Sequence, residues 1–272
     1  MRITRIKDLL LYFSENVRKI LLPYELCENI TEIRLRTNRG ISLRIGSENI
    51  LLGGYIIKKE DIEYSFKAIC DYSVYSFGRE LSEGFITIKG GHRVGLCGTA
   101  VTENGKVNSI NHISGMNFRI ANERKGSADK IMSDIFNKEK CGIIIAGAPL
   151  SGKTTVLRDL CRQIGNKNKV SLIDERGEIA AIYKGIPQND IGDFTDVFDG
   201  YPKSEGILTA IRTMSPDYIF VDEIGTDDDY KSIFSSVCCG VQINATVHAS
   251  SIKTLKEKEN ISKLLETGAF RY

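Results

Sequence analysis

One run of eight residues, Gly147-Ala148-Pro149-Leu150-Ser151-Gly152-Lys153-Thr154, limits what this chain can fold into more than any other. It satisfies the pattern G-x-x-x-x-G-K-[ST] in full. The apolar, β-branched run ending at Ala146 precedes it, and Thr155 opens a segment with Val156, Leu160 and Ile164 at helical spacing. Strand, small-residue loop and helix in that order turn backbone N–H groups and a helix N-terminus toward one point, which suits a phosphate. Residues 147–155 therefore read as a phosphate-binding loop for ATP. Lys153 is placed to reach the β- and γ-phosphates, and the Thr154 hydroxyl to hold Mg²⁺.

Two further strands end in acids. Tyr218-Ile219-Phe220-Val221 is a buried, parallel-type strand that runs into Asp222 and Glu223. Asp222 is a candidate for Mg²⁺ and Glu223 for polarising the attacking water. Val170-Ser171-Leu172-Ile173 runs into Asp174-Glu175-Arg176-Gly177-Glu178. Loops at the C-terminal ends of parallel strands line the ligand crevice, so Asp174, Glu175 and Glu178 are candidates for Mg²⁺ contact or water activation. The competing reading makes them a surface salt-bridge cluster with Arg176. Motif order gives proximity and not geometry, so the base stays open among Glu175, Glu178 and Glu223. A last strand, residues 242–248, ends at Thr246 and His248, and His248 is a candidate γ-phosphate sensor.

The 272 residues carry 37 Lys+Arg and 35 Asp+Glu with 42% hydrophobic residues, a composition that excludes a disordered or fibrous chain. A near-zero net charge of +2 also argues against a dedicated nucleic-acid binder, which carries a strongly basic domain. The charge is uneven. Residues 1–140 hold 22 Lys+Arg against 17 Asp+Glu, and residues 141–272 hold 15 against 18, so the halves are net +5 and −3. That fits two domains, an α+β domain over 1–125 and the nucleotide domain over 126–272. Asp8 interrupts the apolar opening that a secretory signal needs, and no apolar run of about 18 residues is present. The seven irregularly spaced cysteines are expected as reduced thiols, buried as small hydrophobes.

In the first half, the apolar spacing over Lys7–Leu22 predicts one amphipathic helix ended by Pro23. Residues 32–37 and 41–45 alternate as two strands about Asn38-Arg39-Gly40, and pairing them gathers arginines on one face. A helix is expected over Asp61–Ser76, strands over Phe85–Val101, a type I′ turn at Asn104-Gly105, and a helix over Gly126–Phe136.

The order of phosphate loop, acidic strand end, Asp-Glu strand end and Thr-x-His strand end resembles the secretion-ATPase superfamily. Within it, the chain resembles the stage III sporulation AA branch of endospore-forming bacteria. The resemblance is carried by residues 32–36, 147–160, Asp174–Ala180, Asp196–Gly200, Lys203–Gly206, Ala210–Asp217 and Val221–Gly225. It implies a RecA-like P-loop ATPase core, mainly parallel sheet with flanking helices, behind a smaller α+β domain. It also implies a homo-oligomeric ring, a hexamer, at the cytoplasmic, mother-cell face of a membrane channel protein. Asp174, Glu175 and Glu178 then occupy the acidic box and His248 the histidine box. Arg212, Arg176, Arg34 and Arg36 are candidates to complete a neighbouring subunit's site. Thr226-Asp227-Asp228-Asp229 departs from relatives that carry a basic residue there, and a further strand is expected where the chain reads Phe270-Arg271-Tyr272. Three other readings stand beside a sporulation motor: a general type II/IV secretion or pilus ATPase, a RecA-like DNA translocase, and a nucleotide-gated scaffold with little turnover. The net −3 of the second half weighs against the translocase.

Overall fold

Residues 6–27, 29–73, 77–121 and 124–272 are described by the structure, a computed structural model, which divides into two compact units, Met1–Asn122 and Glu123–Tyr272.

The first unit is an antiparallel sheet with helices on one face. Its strands are β1 (Ile30–Arg36), β2 (Ser42–Ile45), β3 (Glu48–Leu51), β4 (Phe85–Ile88), β5 (His92–Glu103) and β6 (Lys106–Arg119), in the order β3-β2-β1-β6-β5-β4. Alternation decides the faces. Ile33, Leu35, Leu43, Val94, Met116 and Phe118 turn inward to the helices α1 (Glu15–Leu21), α2 (Lys59–Ile69) and α3 (Gly78–Glu83). The expected long first helix is broken into a 3₁₀ segment, Ile6–Tyr12, and α1. Ser14, between them, is extended at φ −61° and ψ 160° and gives its hydroxyl to the buried Asp61 of α2 at 2.5 Å. A serine whose side chain serves a distant carboxylate favours a helix start over a helix interior. Between β5 and β6, Asn104 and Gly105 have φ of +50° and +74°, the positive pair that a type I′ turn requires. Of the arginines expected on one face, Arg34 pairs with Glu32 and Arg36 donates to the Ser42 hydroxyl.

The second unit begins with a helical turn, α4 (Asp129–Ile131), that continues as a π-helical stretch, Met132–Phe136. Then come β7 (Ile143–Gly147), α5 (Lys153–Gly165), β8 (Val170–Asp174), β9 (Thr195–Asp199), α6 (Lys203–Met214), β10 (Tyr218–Val221), α7 (Asp227–Cys238), β11 (Gln242–His248), α8 (Ile252–Lys256) and α9 (Glu259–Glu266). All five strands are parallel, in the order β7-β11-β10-β8-β9. Helices cover both faces, so β8 and β10 are buried throughout, and apart from Ser171 and the terminal Asp174 they read as apolar runs. Ile219 and Val221 pack with Ile207 and Ala210 of α6 and Ile233 of α7, while Tyr218 and Phe220 pack with Leu157 and Leu160 of α5. Gly206 lets α6 approach β8 closely, because a Cβ there would stand 2.5 Å from Ile173 Cγ2. With every strand pointing the same way, Gly147, Asp174, Asp222 and His248 all come to one edge of the sheet.

Three details bear on the sequence reading. The acidic run 227–229 is a helix start: the Asp229 carboxylate accepts the N–H of Gly225 at 3.0 Å and of Thr226 at 2.9 Å, and Thr226 Oγ1 accepts the N–H of Asp229. Acids in a first turn are favourable there by capping and by the helix dipole. At the β7 edge the Arg271 N–H donates to the Gly142 carbonyl, and the Tyr272 carbonyl accepts from the Ile144 N–H, both at 2.9 Å. Finally, Cys97, Cys238 and Cys239 are exposed, while Cys70, Cys141 and Cys161 are buried as expected. Cys97 lies on the uncovered face of β5, and the Cys238-Cys239 pair lies where α7 ends.

Candidate active site

The loop between β7 and α5 has the backbone that its sequence demands. Gly152, the N-cap of α5, sits at φ +92°, and Leu150 at the loop's tip adopts φ +61° with its side chain fully in solvent. Gly147 is held to hydrogen at Cα by the loop folding back on it: a Cβ would stand 2.6 Å from Ser151 Oγ. Ala148 and Pro149 complete the turn, and Lys153, Thr154 and Thr155 form the first turn of α5.

Lys153 is buried, and its ammonium donates to the carbonyls of Gly147 at 3.0 Å and Ala148 at 2.8 Å. Its third contact is His248 Nδ1, at 3.2 Å. An ammonium only donates, so Nδ1 is the acceptor and the ring proton sits on Nε2. From there Nε2 faces Glu223 Oε1 at 2.7 Å. The other oxygen of Glu223 accepts from Arg176 Nη1 at 2.6 Å. Lys153, His248, Glu223 and Arg176 thus form one continuous chain of contacts.

A second cluster joins α5, β10 and β11. The Thr154 hydroxyl donates to Asp222 Oδ2 at 2.9 Å, and the Thr246 hydroxyl donates to the other oxygen, Oδ1. Thr246 Oγ1 also accepts the backbone N–H of Glu223 at 2.7 Å. Glu223 has φ +52°, a left-handed conformation that costs a non-glycine residue about 1–2 kcal/mol. That N–H bond, with the Ile224 N–H to the Thr246 carbonyl at 3.0 Å, holds it there.

The acidic loop behaves differently from its sequence reading. Asp174 is buried, and its carboxylate accepts three backbone N–H groups of its own loop: Glu178 at 2.8 Å, Ile179 at 3.0 Å and Ala180 at 2.8 Å. Burial pushes its pKa up against those bonds. The side chain expected at Mg²⁺ is therefore occupied in shaping residues 175–180. Glu175 pairs with Lys203 at the start of α6, and the Glu178 carbonyl accepts from Arg158 of α5 at 2.7 Å. Of the arginines proposed to serve a neighbouring subunit, Arg176 is engaged by Glu223 of its own chain.

Sequence reasoning gave no role to Thr246. A signal was present: Gln242, Asn244, Thr246 and His248 are polar at every second position of the strand, so all four share one face.

The comparisons with known proteins agree with this architecture. Residues 3–272 match the family described as sporulation stage III, protein AA. The chain belongs to that family. It is 37% identical over 255 residues to stage III sporulation protein AA of Bacillus subtilis (strain 168), covering 92% of this chain and 83% of that protein. Among solved structures, the Legionella pneumophila ATPase DotB superposes with a TM-score of 0.63 at 15% identity, covering 93% of this chain and 73% of that one. The pilus retraction motor PilT, determined with bound ADP, superposes with a TM-score of 0.64 at 14% identity, covering 92% and 75%. This member of the sporulation family therefore has the RecA-like fold of the secretion ATPases, an α/β core of parallel sheet and flanking helices.

Proposed function

We propose that this chain is a Mg²⁺-dependent ATP hydrolase, the ring-forming motor or assembly subunit of a sporulation channel. The observation that carries the reading is the convergence of Lys153, Thr154, Asp222, Glu223 and His248, from three elements, at the strand ends beside the loop 147–152. The loop fits a phosphate: its glycines occupy backbone positions closed to a side chain, and the amides at the start of α5 supply donors and a favourable dipole. Lys153 is the cation for the β- and γ-phosphates. Thr154 Oγ1 and the Asp222 carboxylate form a hard oxygen pair suited to Mg²⁺, and Thr246 orients that carboxylate through its second oxygen. Mg²⁺ would neutralise charge on the phosphate oxygens.

Glu223 is the residue we assign to the attacking water, because its carboxylate stands next to His248 and one residue beyond Asp222. Asp174 is assigned to the loop instead of the metal, and Glu175 and Glu178 to the support of that loop. Support for the channel role is the family itself, with a fold shared by an ATPase and a pilus motor. A hexameric ring on the cytoplasmic, mother-cell face of a membrane protein is part of the same proposal, without nucleic acid. A nucleotide-gated scaffold is the second reading, favoured by one observation: each oxygen of Glu223 already holds a donor, Arg176 on one and His248 on the other.

The deciding measurement is Mg²⁺-dependent ATP hydrolysis against protein concentration, run beside light-scattering mass. A rate per subunit that rises as the ring forms, and is lost in Lys153→Ala, is the expected result. Glu223→Gln should bind ATP without turning it over. ATP binding with no turnover in assembled wild-type protein would sink the hydrolase reading and leave the scaffold.

A further inference from the structure

We propose that Arg176 and His248 form a two-point latch on the Glu223 carboxylate, and that Lys153 is the part of the latch that responds to phosphate. The inference deepens the reading above and rests on Glu223 being the group that works on water.

The latch follows from donors and acceptors. Lys153 has three N–H protons and three partners: two carbonyls of its own loop and His248 Nδ1. To donate to a phosphate it must give one up. The contact to His248, at 3.2 Å, is the longest of the three and joins the loop to another element, so it is the first to go. With Lys153 on Nδ1, the imidazole is fixed in the Nε2–H tautomer and aimed at Glu223 Oε1. Once Lys153 turns away, the ring is held in that chain of contacts through Nε2 alone, and Nδ1 is no longer fixed as an acceptor.

Arg176 supplies the second point. It stands in the loop that Asp174 shapes with three backbone bonds, so its Cα is held even though its side chain is 61% exposed. With Arg176 on Oε2 and His248 on Oε1, each oxygen of Glu223 already accepts one donor, so the carboxylate is held in one orientation and only its remaining lone pairs can receive a water. An ion pair this exposed is weak, which suits a latch that must open. Its ceiling of ~1 kcal/mol corresponds to about a fivefold shift in the closed-to-open ratio. Arg176 and His248 are positioning residues in this account, acting through Glu223.

The test uses the full chain labelled with ¹⁵N-histidine, with the His248 resonances assigned by their loss in His248→Gln. Binding of a non-hydrolysable ATP analogue with Mg²⁺ is followed separately by a fluorescent nucleotide. The His248 Nδ1 resonance should move when the analogue binds. In Lys153→Ala it should already lie at the released position without ligand. Arg176→Ala should raise kcat up to about fivefold with KM changed less than about twofold, and Arg176→Lys should return kcat toward wild type. A His248 resonance that ignores bound analogue overturns the proposal, as does an Arg176→Ala enzyme whose kcat is unchanged or lower. Wild-type protein without turnover, but with a moving His248 resonance, would count against hydrolysis while supporting the latch.

Discussion

The hydroxyl of Thr154, in the first turn of α5, donates to Oδ2 of Asp222, just beyond the end of β10, across 2.9 Å. The contact joins the residue pair proposed for Mg²⁺. Thr154→Val keeps the size and removes the oxygen. It should lower Mg²⁺-dependent turnover on the order of 10²-fold while leaving the fold's stability within about 1 kcal/mol. Turnover against Mg²⁺ concentration, with thermal unfolding as control, checks both parts.

Asp174 should be a stability residue. Asp174→Asn replaces one acceptor oxygen by an NH₂ group, which faces the backbone donors of residues 178–180. One or two buried N–H groups lose their partner, at about 1–3 kcal/mol each. Urea unfolding should show a lower midpoint with an unchanged slope. A variant as stable as wild type would contradict the arrangement.

Asp159 offers a pH test. Burial raises its pKa, but the Ala128 N–H at 2.8 Å, Arg162 and Gln163 outweigh burial and bring it net below the ordinary carboxylate range. A depressed folded-state pKa contributes stability that is present above the unfolded value and lost as pH falls through the folded one. The stability difference between wild type and Asp159→Asn should therefore be full at pH 6 and shrink as pH falls below about 4. Chemical unfolding at a series of pH values measures it, and a gap that stays constant into strong acid would refute the assignment.

The thiols should separate by burial. Burial pushes Cys70 up to about 12 and raises Cys161 as well, so neither forms thiolate at neutral pH. Alkylation of native protein followed by mass spectrometry should label Cys97, Cys238 and Cys239 first, with Cys70 and Cys161 labelled only after unfolding.

The phosphate loop, the strand before it, the helix after it and the two acid-ended strands were legible in sequence. Each is a property of consecutive residues: a periodicity, a glycine where φ must be positive, or carboxylates after an apolar run. The same holds for the Asn104-Gly105 turn and the alternating strands around Asn38. The break at Ser14 was not legible, because it depends on Asp61 in another helix. The partners of the acids depended on the sheet. The last strand, β11, inserts between β7 and β10, and only that order brings Thr246 to Asp222 and His248 to both Lys153 and Glu223. Asp174, Glu175 and Glu223 look alike as carboxylates at strand ends, yet one is bound to backbone amides, one to Lys203, and one to Arg176 and His248. Local order needs only neighbours along the chain, whereas a carboxylate's role depends on the donors around it, and those arrive from elements far away in sequence.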